Sequence, residues 1–238
     1  MSIFEQDCYI IDLTHSIDQN LPTWEGECGF KSFVDIDYKD HEDNVRLMRY
    51  EMFAGIGTHM DSPSHFCEGG KSVADILPEN LVAKACVMDI SFKIINNQNY
   101  MISKEDLLDW ESENGRVLPG SIFLIYTGWS LNLALDADRY RNEDEFGDLH
   151  FPGVSLECAE ILVEREILAI GIDTLSIDGG NLEPLVHKKI LCTGSRYIIE
   201  NIANLDRLPA IGAYVVVAPL KISGGSEAPV RMLGFIKK

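Results

Sequence analysis

The chain has 238 residues, enough to bury the core of one large domain or two small ones. Hydrophobic residues make up 46% and charged residues 24%, the balance of a soluble globular protein. The formal net charge of −18 leaves too little Lys and Arg to neutralise nucleic acid, and it equally disfavours an anionic membrane surface.

The first residues, MSIFEQDCYIID, show neither a basic segment nor the apolar run of a secretory signal. The longest apolar stretch, 211–220, is broken by Gly212 and Pro219 and reaches about half of the ~20 residues that a membrane-spanning helix needs. A cytoplasmic location is therefore expected. The six cysteines form no CxxC pair and are expected to be reduced, buried thiols. No repeat or flexible linker interrupts the chain, so residues 1–238 are expected to form a single domain.

Apolar, β-branched residues predict a first strand over 9–13. Residues 46–53 alternate only in part and predict a half-buried strand, and 85–90 a buried one. Ser103 can cap a helix over 104–113, with Asp106 at its third position and Gly115 just past its end. A strand over 122–126 follows. The segment 136–148 is acidic and poor in apolar residues, which suits a solvated loop or a flap over a site. Ser155 can cap a helix over 156–166 with Ala159, Leu162 and Val163 on one face, running into a strand over 168–172. Strands over 213–218 and 231–236 close the list. Helices and strands interleave without a strict βαβ rhythm, which predicts an α/β or α+β fold with a mixed sheet.

The chemistry concentrates in Gly55–Phe66, GIGTHMDSPSHF. In an extended segment His59 and Asp61 point to the same side, as two ligands of one divalent cation must. His65 follows Pro63, which turns the chain. A surface loop with two stray histidines explains the spacing equally well. Ligands from distant segments would decide the matter. The six histidines are His15, His41, His59, His65, His150 and His187. Glu200 follows the apolar pair Ile198-Ile199, where it could end a strand either at a polar site or in solvent.

This run resembles the motif His-x-Gly-Thr-His-x-Asp-x-Pro-x-His of the cyclase-type metal hydrolase family, which includes bacterial kynurenine formamidase and isatin hydrolase. The match covers Gly57, Thr58, His59, Asp61, Pro63 and His65. Further matches follow in order: Leu21–Gly26, Tyr126–Trp129, Phe151–Gly153, Gly171–Asp178, His187, Glu200–Ile202, Pro219–Lys221 and Ala228–Arg231. The resemblance implies the family's swivelling β/β/α mixed-sheet fold. It implies His59, Asp61, His187 and Glu200 as metal ligands, with His65 as catalytic acid/base. It implies zinc first and manganese second, and a homodimer or homotetramer. Gly55 stands where the motif has its first histidine, so one ion is expected rather than two, with His15 and Cys67 as conceivable substitutes. Trp24 and Trp129 are candidates for an aromatic substrate wall, or for core packing. Asp173 and Asp178 are candidates for outer partners or turn formers, Ser176 for a proton carrier, and His150 for orienting the Phe151-Pro152-Gly153 turn.

The expected reaction is hydrolysis of a small amide-like substrate such as N-formylkynurenine, by metal-activated water. Opening of a lactam or lactone such as isatin is the alternative. The missing motif histidine also admits a non-catalytic metal- or ligand-binding protein.

Overall fold

The structure, a computed structural model, describes residues 8–40, 42–180 and 183–238; His41 lies outside them. In chain order the strands are β1 (Cys8–Asp12), β2 (Phe30–Ile36), β3 (Leu47–Met52), β4 (His59–Asp61), β5 (Val82–Asp89), β6 (Met101–Ile102), β7 (Ile122–Tyr126), β8 (Gly153–Val154), β9 (Ala169–Ile172), β10 (Tyr197–Glu200), β11 (Ala213–Pro219) and β12 (Glu227–Lys237). The helices are α1 (Ser91–Ile94), α2 (Lys104–Asn114), α3 (Ser130–Leu133), α4 (Ala137–Arg141), α5 (Leu156–Glu164) and α6 (Leu185–Leu191). No described helix is long and apolar enough to cross a membrane.

Eight strands form one mixed sheet in the order β1-β12-β11-β5-β7-β9-β10-β4. The apolar segments β5, β7, β9 and β10 lie parallel at its centre. Strands buried on both faces need not alternate apolar and polar residues, and β7 is buried throughout. Its side chains still divide by face. Phe123 and Ile125 join a core with Trp110 of α2, Leu162 of α5 and Ile190 of α6. Ile122 and Leu124 join a second core with Val215 of β11 and Met232 of β12. At the far edge β4 pairs antiparallel with β10 and also with the first residues of β12, so the sheet closes on itself. This closure brings three distant segments together at β4.

Several expectations are corrected. Residues 46–53 form a strand, β3, but it is fully exposed; it pairs with β2 in a hairpin standing apart from the main sheet. The helix from Leu156 stops at Glu164, and Glu166 (φ 55°) turns the chain before β9. The acidic segment begins as α4, whose Tyr140 is fully buried; the remainder is an exposed loop pinned by His150, which bonds Asp144 and Asn99. Cys67 and Cys192 are not reduced thiols but a disulfide, with Cα atoms 5.6 Å apart. One follows the 3₁₀ turn Pro63–His65 and the other follows α6, which packs on that turn. Cys86 and Cys158 are buried, as expected, whereas Cys8 is half-buried and Cys28 exposed.

Candidate metal centre

Gly57 takes φ +62° to turn the chain into β4, and a side chain there would also crowd Leu21. In β4, Met60 points into the core, while its neighbours His59 and Asp61 share the opposite face. Register completes the patch. His59 lies opposite Glu200 of β10, and Asp61 lies opposite Glu227 of β12. His187 arrives from α6, whose packing buries it.

Each buried imidazole has one nitrogen tied back and the other aimed inward. His59 Nδ1 lies 2.8 Å from the Gly57 carbonyl, which can only accept, so Nδ1 carries the proton and Nε2 offers a lone pair. His187 Nδ1 donates to Asp178 Oδ2 at 2.5 Å, leaving Nε2 free. Asp178 also accepts from the backbone N–H groups of Val186 and His187, fixing the start of α6 to the same carboxylate. This carboxylate–imidazole arrangement orients metal-binding histidines. The inward nitrogens and carboxylates form a ring. His59 Nε2 is 3.5 Å from Asp61 Oδ1 and 3.6 Å from Glu200 Oε2. His187 Nε2 is 3.4 Å from Asp61 Oδ2 and 3.2 Å from Glu200 Oε1.

Both Asp61 oxygens are buried and make no hydrogen bond among the described residues. An orphaned buried carboxylate is costly unless a cation meets it. The electrostatics agree. Burial opposes charge on His59, yet Asp61 and Glu200 outweigh it and raise its pKa. Burial likewise opposes charge on His187, but Asp178, Asp61 and Glu200 hold its pKa well above the usual value. Burial and the neighbouring Asp61 raise the Glu200 pKa, whereas His59 and His187 overcome burial to lower that of Asp61. Two imidazole nitrogens and two carboxylates converging in one buried ring are a donor set that fits a divalent cation, which His59, Asp61, His187 and Glu200 would hold.

The centre lies in a cavity of about 400 Å³. Trp24, Phe66, Leu175 and Pro184 give it apolar walls, and His65 and Glu227 stand at its polar side. His65 is partly exposed, with Nδ1 3.3 Å from Glu227 Oε2. Phe66 packs edge-on to His65 and against the His187 ring. Trp24 is placed by Arg141, which donates to its carbonyl.

Trp129 does not line this cavity. It sits in the core with Nε1 donating to the Tyr140 carbonyl, because Asp173 gathers Thr127 and Ser130 and folds the intervening turn inward. Asp173 is thus a turn anchor, whereas Asp178 is an outer partner of His187. Ser176 lines the cavity. Neither proposed substitute for the missing histidine reaches the centre. His15 faces a separate groove, and Cys67 is held in the disulfide. Glu227 is the residue that sequence reasoning missed, although it directly precedes the Ala228–Arg231 match.

The Cyclase family model matches residues 11–179. The chain belongs to the Cyclase family. The structure is similar to isatin hydrolase A from Ralstonia solanacearum, with TM-score 0.88 and 32% identity, covering 97% of this chain and 92% of that one. Its sequence is 28% identical over 222 residues to kynurenine formamidase from Bacillus anthracis, covering 93% of this chain and 94% of the relative. A solved structure described as a potential metal-dependent hydrolase with cyclase activity aligns at TM-score 0.73 and 25% identity, over 97% of this chain and 99% of that one. The mixed α/β fold is that of these cyclase-family hydrolases, and the chain is a hydrolase of the same family.

Proposed function

We propose that this protein hydrolyses the C–N bond of a small aryl amide, with N-formylkynurenine as the leading substrate. The observation that carries the reading is Asp61, buried and without a hydrogen bond between two imidazoles that each present a free Nε2. When bound, a divalent cation (zinc, or manganese) supplies Lewis acidity, polarising a carbonyl and making water more acidic. The side chains do the rest. Trp24, Phe66 and Leu175 offer an apolar wall to an aryl ring. His65, at the cavity edge, takes a proton from the attacking water and returns it to the leaving nitrogen. Its contact with Glu227 supports the tautomer with Nδ1 protonated, leaving Nε2 to exchange protons.

A lactam such as isatin is the second reading. It is favoured by the likeness to isatin hydrolase A and by the absence of Lys or Arg among the described residues lining the cavity, which suits an uncharged substrate. Steady-state assays of metal-loaded protein on both compounds separate the two. Turnover of neither, nor of any simple amide, ester or lactam, would leave a binding protein instead. Self-association belongs to the same proposal, because the β2–β3 hairpin exposes Val34, Leu47, Met48, Tyr50 and Met52. Sedimentation is expected to show a dimer or tetramer.

A further inference from the structure

Glycine at position 55 removes a motif histidine, yet the space beside it is filled. A Cβ built on Gly55 would overlap Glu227 Oε1 and lie 3.3 Å from His59 Nε2. The Glu227 carboxylate therefore occupies the direction in which a side chain from position 55 would project. It reaches there because β12 pairs with β4 and sets Glu227 opposite Asp61.

We propose that Glu227 replaces the missing histidine as a ligand, holding with His59 and Asp61 a second divalent cation, with Asp61 shared between this cation and the one at His187. The inference rests on the metal-hydrolase reading and extends it.

Ligand atoms of His59, Asp61 and Glu227 all lie within 4.8 Å of one another, and so do those of Asp61, His65 and His187. Asp61 belongs to both sets and can serve both, because its two oxygens make no hydrogen bond among the described residues and face different imidazoles. Oδ1 faces His59 at 3.5 Å, and Oδ2 faces His187 at 3.4 Å. His59 offers only Nε2, since Nδ1 is tied to Gly57, so with two cations the four-residue set divides: His59 serves one cation and leaves the other to His187 and Glu200. Glu227 can keep both its roles, with Oε1 beside position 55 and Oε2 beside His65. Charge argues the same way. When ionised, Asp61, Asp178, Glu200 and Glu227 bring more negative charge to one cavity than a single dication balances. Two carboxylates and one imidazole form a harder ligand set than one carboxylate and two imidazoles, which suits a cation such as Mn²⁺.

The test compares four full-length proteins: wild type, Glu227→Gln, Gly55→His, and Gly55→His combined with Glu227→Gly. Each is stripped with chelator, loaded with excess Mn²⁺, desalted and analysed for metal, and its electron paramagnetic resonance spectrum is recorded. About two Mn²⁺ per chain with a spin-coupled signal are expected in wild type, and about one with an uncoupled signal in Glu227→Gln. In Gly55→His the Glu227 carboxylate, the far end of a flexible side chain, is expected to swing aside, with the new imidazole taking its place as ligand. The double variant is therefore expected to hold the second Mn²⁺ without Glu227. Equal metal content and signal in wild type and Glu227→Gln would overturn the assignment of Glu227 while leaving a one-metal hydrolase intact. No bound metal in wild type would overturn both.

Discussion

Replacing Asp178 by Asn tests how the fold holds a ligand in place. Asp178 accepts three bonds: from His187 Nδ1 at 2.5 Å, from Val186 N at 2.7 Å and from His187 N at 3.1 Å. Asparagine keeps the shape but offers one neutral oxygen and a donor; with that oxygen at the Oδ2 position Val186 N loses its acceptor, and with it at the Oδ1 position both His187 nitrogens do. Either way the imidazole loses the carboxylate charge that raises its basicity as a ligand. Outer partners of this kind are worth about 10–100-fold in metal affinity, or ~1.4–2.7 kcal/mol. Losing a backbone partner at the start of α6 costs a further ~1–2 kcal/mol of metal-free stability, a fall of about 2–8 °C in melting temperature. Chelator competition measures the first effect and thermal unfolding of stripped protein the second. In a His187→Ala background the affinity effect should vanish while the stability effect persists. Unchanged metal affinity in Asp178→Asn with His187 intact would refute the orienting role.

Other consequences follow from the same geometry. Trp24→Ala is expected to raise KM with metal content unchanged, whereas Trp129→Ala is expected to cost ~3–5 kcal/mol of stability, because one lines the cavity and the other the core. The Cys67–Cys192 bond closes a separation of 125 residues, so reduction or Cys67→Ser is expected to cost ~2–4 kcal/mol, read as a fall of about 5–15 °C in melting temperature. Burial opposes charge on Asp106, but Lys93, Ser103 and Tyr100 outweigh it and lower its pKa. A carboxylate whose folded-state pKa lies below its unfolded value stabilises above about pH 3.9, and loses that contribution as pH falls through the folded pKa. Asp106→Asn is therefore expected to cost ~1–3 kcal/mol near neutral pH and to flatten the acid limb of a stability profile.

What the sequence disclosed divides along physical lines. Strands buried on both faces, such as β7, β9 and residues 85–88 of β5, announce themselves as apolar runs, and Ser103 with Asp106 announces α2 through a capping box that the structure contains. The pair His59-x-Asp61 was legible because strand geometry alone puts both on one face. The partners of β4 were not, since register between segments far apart in sequence leaves no local trace; Glu227 comes to the centre only through that pairing. α6 was missed because its start is capped from a distance by Asp178 rather than by a neighbouring side chain. The disulfide was missed for a related reason: it depends on α6 packing against the turn at His65. Trp129 could not be told from Trp24 by type, and only the fold beneath Asp173 turns it into the core.

The most direct test of a metal-dependent hydrolase is a comparison of wild type and His59→Ala, each stripped and then reloaded with Zn²⁺ or Mn²⁺, on N-formylkynurenine and isatin. The expected result is hydrolysis of one of them by reloaded wild type, loss on stripping, recovery on reloading, and, in His59→Ala, less bound metal than wild type and no turnover regained. Full activity in stripped wild type, or in His59→Ala, would contradict the assignment.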